Sequence, residues 1–78
     1  MACQSAGAIA RNVARLRASK ELSQGALARI CGIARPRISE LESGNANPTV
    51  ETLEMLAAAL GVEVTDLLKN IPAARLAS

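Results

Sequence analysis

The chain contains no phenylalanine, tyrosine, tryptophan or histidine. Without aromatic rings, its core has to be built from Leu, Ile, Val and Ala, and small aliphatic side chains of this kind suit helices packed closely together. The same absence disfavours RNA recognition by base stacking, which needs aromatic faces. Two cysteines and no histidine supply too few ligands for a zinc site. Cys3 falls in the terminal segment, and Cys31 falls on an apolar helical face, where a free thiol acts as a small core group. The longest apolar run, Met55 to Leu60, is too short to span a bilayer, and no signal-peptide pattern is present. A cytoplasmic, nucleoid-associated location without a membrane partner is expected. An enzyme is not expected either: no nucleophile stands beside a base, and there is no pair of carboxylates in an apparent cleft and no glycine-rich phosphate loop.

What is present is a chain of 78 residues, half of them hydrophobic, which makes a single domain over 1–78. The net charge of +2 hides a strong asymmetry. Residues 1–37 carry seven Arg or Lys against the single acid Glu21, a net +6, whereas residues 38–78 carry six acids against Lys69 and Arg75, a net −4. One face is therefore suited to a polyanion and another to something else.

Helical periodicity recurs along the chain, and no strand alternation, repeat or low-complexity segment interrupts it. Ile9, Val13 and Leu16 give one apolar stripe on a first helix over Ala6–Lys20, with Arg11, Asn12 and Arg15 off the stripe. Glu21-Leu22 is a short turn. Ser23 caps a second helix that runs to about Cys31, with Ala26, Leu27, Ile30 and Cys31 as its apolar positions, and Gly32 stops it. A third helix spans about Arg35–Ser43, with Pro36 in its first turn and Gly44 at its end. After a loop at Asn45-Ala46-Asn47-Pro48, Thr49 caps a fourth helix whose stripe is Val50, Leu53, Leu56 and Leu60. Gly61 ends that helix, and Glu51 lies near its positive end. A short fifth helix covers about Val64–Asn70, limited by Pro72, and residues 73–78 form a loose tail. The expected fold is all-α, a compact five-helix bundle.

Residues 23–43 hold the informative constellation. Ala28 is small enough to let two short helices approach, and Gly32, four residues later, makes the turn between them. Ile38 and Leu41 lock the second of the pair onto the first. That arrangement projects the second helix outward, so that its N-terminal residues can enter a DNA major groove. The chain here resembles the Cro/C1-type helix-turn-helix family, which includes small phage and plasmid repressors and restriction–modification controllers and has a lambda-repressor-like fold. The matching pieces are Leu22-Ser23-Gln24, Leu27-Ala28, Gly32-Ile33, Ile38-Ser39, Leu41-Glu42-Ser43-Gly44, Asn47-Pro48-Thr49, Leu53, Leu56-Ala57 and Ala59-Leu60-Gly61-Val62.

The resemblance implies a sequence-specific regulator of double-stranded DNA, a repressor or controller. It places Ser23 and Gln24 at a phosphate, with the helix N-terminus adding backbone donors. Base contacts map to Ala34, Arg35, Pro36, Ser39 and Glu40, with Arg37 reaching backbone or base. Arg35 can grip guanine O6 and N7 together, and Glu40 can accept from cytosine N4. Arg17 and Glu42 match a structural ion pair that fixes the third helix. Two departures stand out: the family often has Ser or Thr where Ala34 stands, and Pro36 is unusual. One domain touches few base pairs, so a homodimer on a palindromic operator is expected, with Val64, Leu67, Leu68 and Ile71 (in a dimerisation segment over 62–72) as its apolar contact. No cofactor, metal or small-molecule effector domain is expected, and RNA polymerase is a further candidate partner. The alternative is an antitoxin-type or plasmid-maintenance regulator that also binds a protein.

Overall fold

The computed structural model describes residues 4–69, and these form five helices and no strand. They are α1 (Gln4–Ser19), α2 (Gln24–Cys31), α3 (Arg35–Ser43), α4 (Val50–Leu60) and α5 (Val64–Leu67). Cys3, Asn70, Ile71, Pro72 and the expected tail over 73–78 lie outside the described residues. Among the described residues, no helix is long and apolar enough to cross a membrane.

Local chemistry sets most of the boundaries. Ser23 and Thr49 start α2 and α4 in extended backbone, and their hydroxyls accept from the amides of Ala26 and Thr52 at 3.0 and 3.1 Å. Each satisfies one of the amides a helix start leaves unpaired. At Gly32 the backbone turns left-handed (φ 74°), and the Gly32 and Ile33 amides both return to the Ala28 carbonyl. Only a residue without Cβ adopts that conformation freely, so the sharp bend between α2 and α3 depends on it. Gly44 does the same for α3 (φ 82°) and also lies close to α1: a Cβ here would stand 3.6 Å from Gly7 Cα. The turn before α2 contains the one non-glycine residue with positive φ among those described, Glu21 (φ 56°).

All five helices contribute to one aliphatic core. Ile9 and Val13 of α1, Leu27, Ala28 and Cys31 of α2, Ile38 and Leu41 of α3, Leu53, Leu56, Ala57 and Leu60 of α4, and Leu67 of α5 pack into a single cluster. The sequence stripes differ from this in four places. Leu16 is only half-buried, while Asn12, placed off the stripe, is 3% exposed. Ile30 is 56% exposed, because Leu27, Ala28 and Cys31 already define the inward arc of an eight-residue helix and Ile30 falls on its flank. Val50 is 69% exposed, since α4 turns inward only from Leu53.

A further difference is the length of α5, which stops at Leu67 instead of continuing to Asn70. Asn12 of α1 serves this end of the helix: its Nδ2 donates to the carbonyls of Leu67 and Lys69, both at 2.9 Å, and so satisfies acceptors that the helix end leaves without a partner. The start of α5 is closed by a reciprocal capping box between Glu63 and Asp66, in which the Glu63 amide donates to Asp66 Oδ2 at 3.0 Å.

Candidate nucleic-acid interface

The α2–turn–α3 unit buries one side and leaves the other open. On α3 only Ile38 and Leu41 are buried, whereas Ala34, Arg35, Pro36, Arg37, Ser39 and Glu40 are all exposed. The start of this helix is bare. Ala34 has the extended conformation of a cap residue but no side-chain hydrogen bond, and no acid lies in the first turn. The Arg37 and Ile38 amides reach the Ala34 carbonyl, and Pro36 has no amide hydrogen to leave unpaired. Arg35 and Arg37 therefore sit at the positive end of the helix dipole, the less favourable end for a cation. An anion placed there removes both penalties at once.

Beside this helix start lies an open notch of about 230 Å³ lined by Gln24, Arg35, Pro36 and Ser39. The structure thus brings Gln24 of α2 together with three of the residues assigned to base contact. Ala34, Arg37 and Glu40 lie on the exposed side of the same helix but do not line the notch. Ser23 is engaged as the cap of α2.

Behind the notch a charged group fastens the unit to α1. Arg17 Nε donates to Glu42 Oε2 at 2.6 Å, and its Nη2 donates to Oε1 at 2.9 Å. Its Nη1 donates to the Leu22 carbonyl at 2.7 Å. This two-point pairing with a nearly buried carboxylate (Glu42 side chain 7% exposed, Arg17 21%) fixes the orientation of both planar groups. The hydrogen bonds that Arg17 donates to Glu42 raise the Arg17 pKa above its ordinary value, so the guanidinium stays charged. Glu42 also accepts from Gln24 Nε2 at 3.2 Å, a link between two site residues that sequence spacing did not suggest.

One assignment changes. Leu67 is fully buried inside the single chain, its carbonyl held by Asn12 of α1, so it is a core residue and not part of a subunit contact. Val64 and Leu68 pack half-buried at the core's edge, and Ile71 lies outside the described residues. Cys31 is buried next to the turn, and burial pushes its thiol pKa up, so it stays protonated and inert. Among the described residues, no three His, Cys, Asp or Glu side chains group as a metal ion would need.

A short capped helix, a glycine turn and an exposed second helix with cationic side chains at its start define a helix-turn-helix DNA-binding domain. A helix-turn-helix family model matches residues 13–67, and the chain belongs to that family. It is 43% identical over 60 residues to an uncharacterized HTH-type transcriptional regulator of Sinorhizobium fredii, covering 77% of this chain and 78% of the relative. It is 39% identical over 59 residues to control protein C.BamHI of Bacillus amyloliquefaciens, covering 74% and 73%. Its fold is similar to the crystal structure of the restriction–modification controller protein C.AhdI from Aeromonas hydrophila, with a TM-score of 0.77, 31% identity and coverage of 80% and 94%. The chain is a helix-turn-helix transcriptional regulator and not an enzyme.

Proposed function

We propose that the chain acts as a homodimer on a two-fold symmetric operator, with α3 in the major groove and Gln24 on a phosphate beside it. The observation that carries this reading is the bare start of α3, where Arg35 and Arg37 stand at an uncapped positive helix end next to an open notch. Such a helix start costs stability in isolation and recovers it against a polyanion. Arg35 reads guanine through O6 and N7, and the Pro36 ring packs on a thymine methyl. Ser39 and Glu40 contribute polar contacts, and Arg37 follows the backbone or an adjacent base. Val64 and Leu68, half-buried at the edge of the core, supply the subunit contact.

Similarity to two control proteins supports a role in setting the expression of restriction–modification genes. Occupancy then follows protein concentration, because dimer and complex both accumulate as the protein does. An operator overlapping a promoter gives repression, and contact with RNA polymerase gives activation. Selection of bound sequences from random duplex DNA at fixed salt tests the reading. The expected product is a palindrome whose half-sites lie about 34 Å apart, one DNA turn. Equal retention of all duplexes at physiological ionic strength would overturn it.

A further inference from the structure

Glu42 is placed to do more than pair with Arg17. Its carboxylate lies between α1 and α2 and touches a residue of each, and every contact it makes is as an acceptor. We infer that Glu42 is a positioning residue for DNA binding: held by Arg17, it sets which way the Gln24 amide faces at the notch. This rests on the reading of α2 and α3 as the DNA-contacting unit.

The argument is one of donor and acceptor identity. A glutamine amide has a nearly symmetric shape but two different ends, an oxygen that only accepts and a nitrogen that only donates. On its own at a surface it flips freely between the two. A carboxylate cannot donate, so the atom of Gln24 facing Glu42 has to be Nε2, as observed at 3.2 Å. The carboxylate cannot rotate away, because Arg17 grips both of its oxygens and is itself anchored on the Leu22 carbonyl. One N–H of Gln24 is thus spent on Glu42 and one remains. Among the described residues, no other hydrogen bond involves this side chain, which lines the notch with Arg35, Pro36 and Ser39.

A DNA phosphate beside α2 accepts hydrogen bonds and cannot supply them. An amide presenting its oxygen would repel the phosphate, and an amide free to flip would lose rotational freedom on binding. Glu42 removes both costs before the DNA arrives, so the notch meets the backbone with its donor already set. The contact informs position and not sequence, so its loss weakens all duplexes by a similar factor.

A double-mutant cycle over Gln24→Ala and Glu42→Gln reads this directly, with affinity for the selected operator and for an unrelated duplex measured at fixed salt, and folding checked by circular dichroism. In the otherwise unaltered protein, Glu42→Gln is expected to weaken both complexes by about three- to tenfold, the scale of one hydrogen bond. In the Gln24→Ala background the same change is expected to cost less than about twofold, because its target is gone. An equal loss in both backgrounds assigns Glu42 to the fold alone and overturns the inference, as does no loss in a folded Glu42→Gln protein. If Glu42→Gln does not fold, side-chain 15N relaxation of Gln24 in the unaltered chain decides. An amide as ordered as the surrounding backbone supports positioning, and one reorienting freely on the nanosecond scale refutes it. That measurement needs no DNA. A chain that shows an ordered Gln24 but no duplex preference would contradict the proposed function and leave the positioning role standing.

Discussion

The third and fourth helices are of similar length, nine and eleven residues, yet they are built on opposite principles. α4 commits four side chains to the core, begins on a Thr49 cap and carries Glu51 in its first turn, where the helix dipole favours an acid. α3 commits two, has no side-chain cap, and places Arg35 and Arg37 where the dipole disfavours them. What keeps α3 helical comes from elsewhere: Ile38 and Leu41 seated in the core, the left-handed Gly44 end, and Glu42 tied to Arg17. The outward residues of α3 contribute little to the fold, and so they are free to be chosen for what they bind.

The largest expected effects test that division on α3 itself. Ile38→Ala, at a fully buried site, should cost about 2–5 kcal/mol of stability. That is much of the roughly 5–10 kcal/mol available to so small a domain, and DNA binding should fall with it. Arg35→Ala, three residues earlier and exposed, should leave the melting temperature unchanged or slightly raised, since a cation leaves the positive helix end, while costing about 1–3 kcal/mol in specific binding and relaxing one base-pair preference. Thermal melts and operator titrations on the two variants separate the cases. If Arg35→Ala lowered stability as much as binding, the outward face would belong to the fold after all.

A second substitution moves the comparison to the packing side. Asn12→Ala leaves the Leu67 and Lys69 carbonyls without their side-chain donor at the junction of α1 and α5. Stability should drop by about 1–3 kcal/mol, the cost of stranding buried acceptors, with the selected base sequence unchanged. A shift in base preference would show that the α1–α5 junction steers the recognition helix.

Much of this architecture is legible from residue types, and the parts that are not share one cause. Ser23, Thr49, Gly32, Gly44 and Gly61 act through backbone within a few residues, and each marks a helix end where the structure has one. Asn12 reads as a surface residue, because its partners are carbonyls 55 and 57 positions away. Leu67 and Leu68 are adjacent leucines, the last residue and the C-cap of a helix of four residues, too short for periodicity to say which one turns inward. The Glu63–Asp66 cap lacks the Ser or Thr that usually announces a capping box. At the site, the individual residues are visible through resemblance, but the bond from Gln24 to Glu42 joins two segments whose meeting depends on how α2 and α3 cross.

The smallest effect gives α3 what α4 already has. Ala34 holds the backbone of a cap residue (φ −62°, ψ 139°) and lacks only the hydroxyl. Ala34→Ser should therefore stabilise the free protein by about 0.5–1 kcal/mol, raising the melting temperature by a few degrees for a domain this size. Operator affinity should gain less than the fold does, because a serine hydroxyl and a DNA phosphate compete for the same first-turn amide, that of Arg37. If affinity rose in step with stability, that amide would have no part in holding DNA. The bare start of α3 would then be a tolerated weakness of the fold and not a feature of its function.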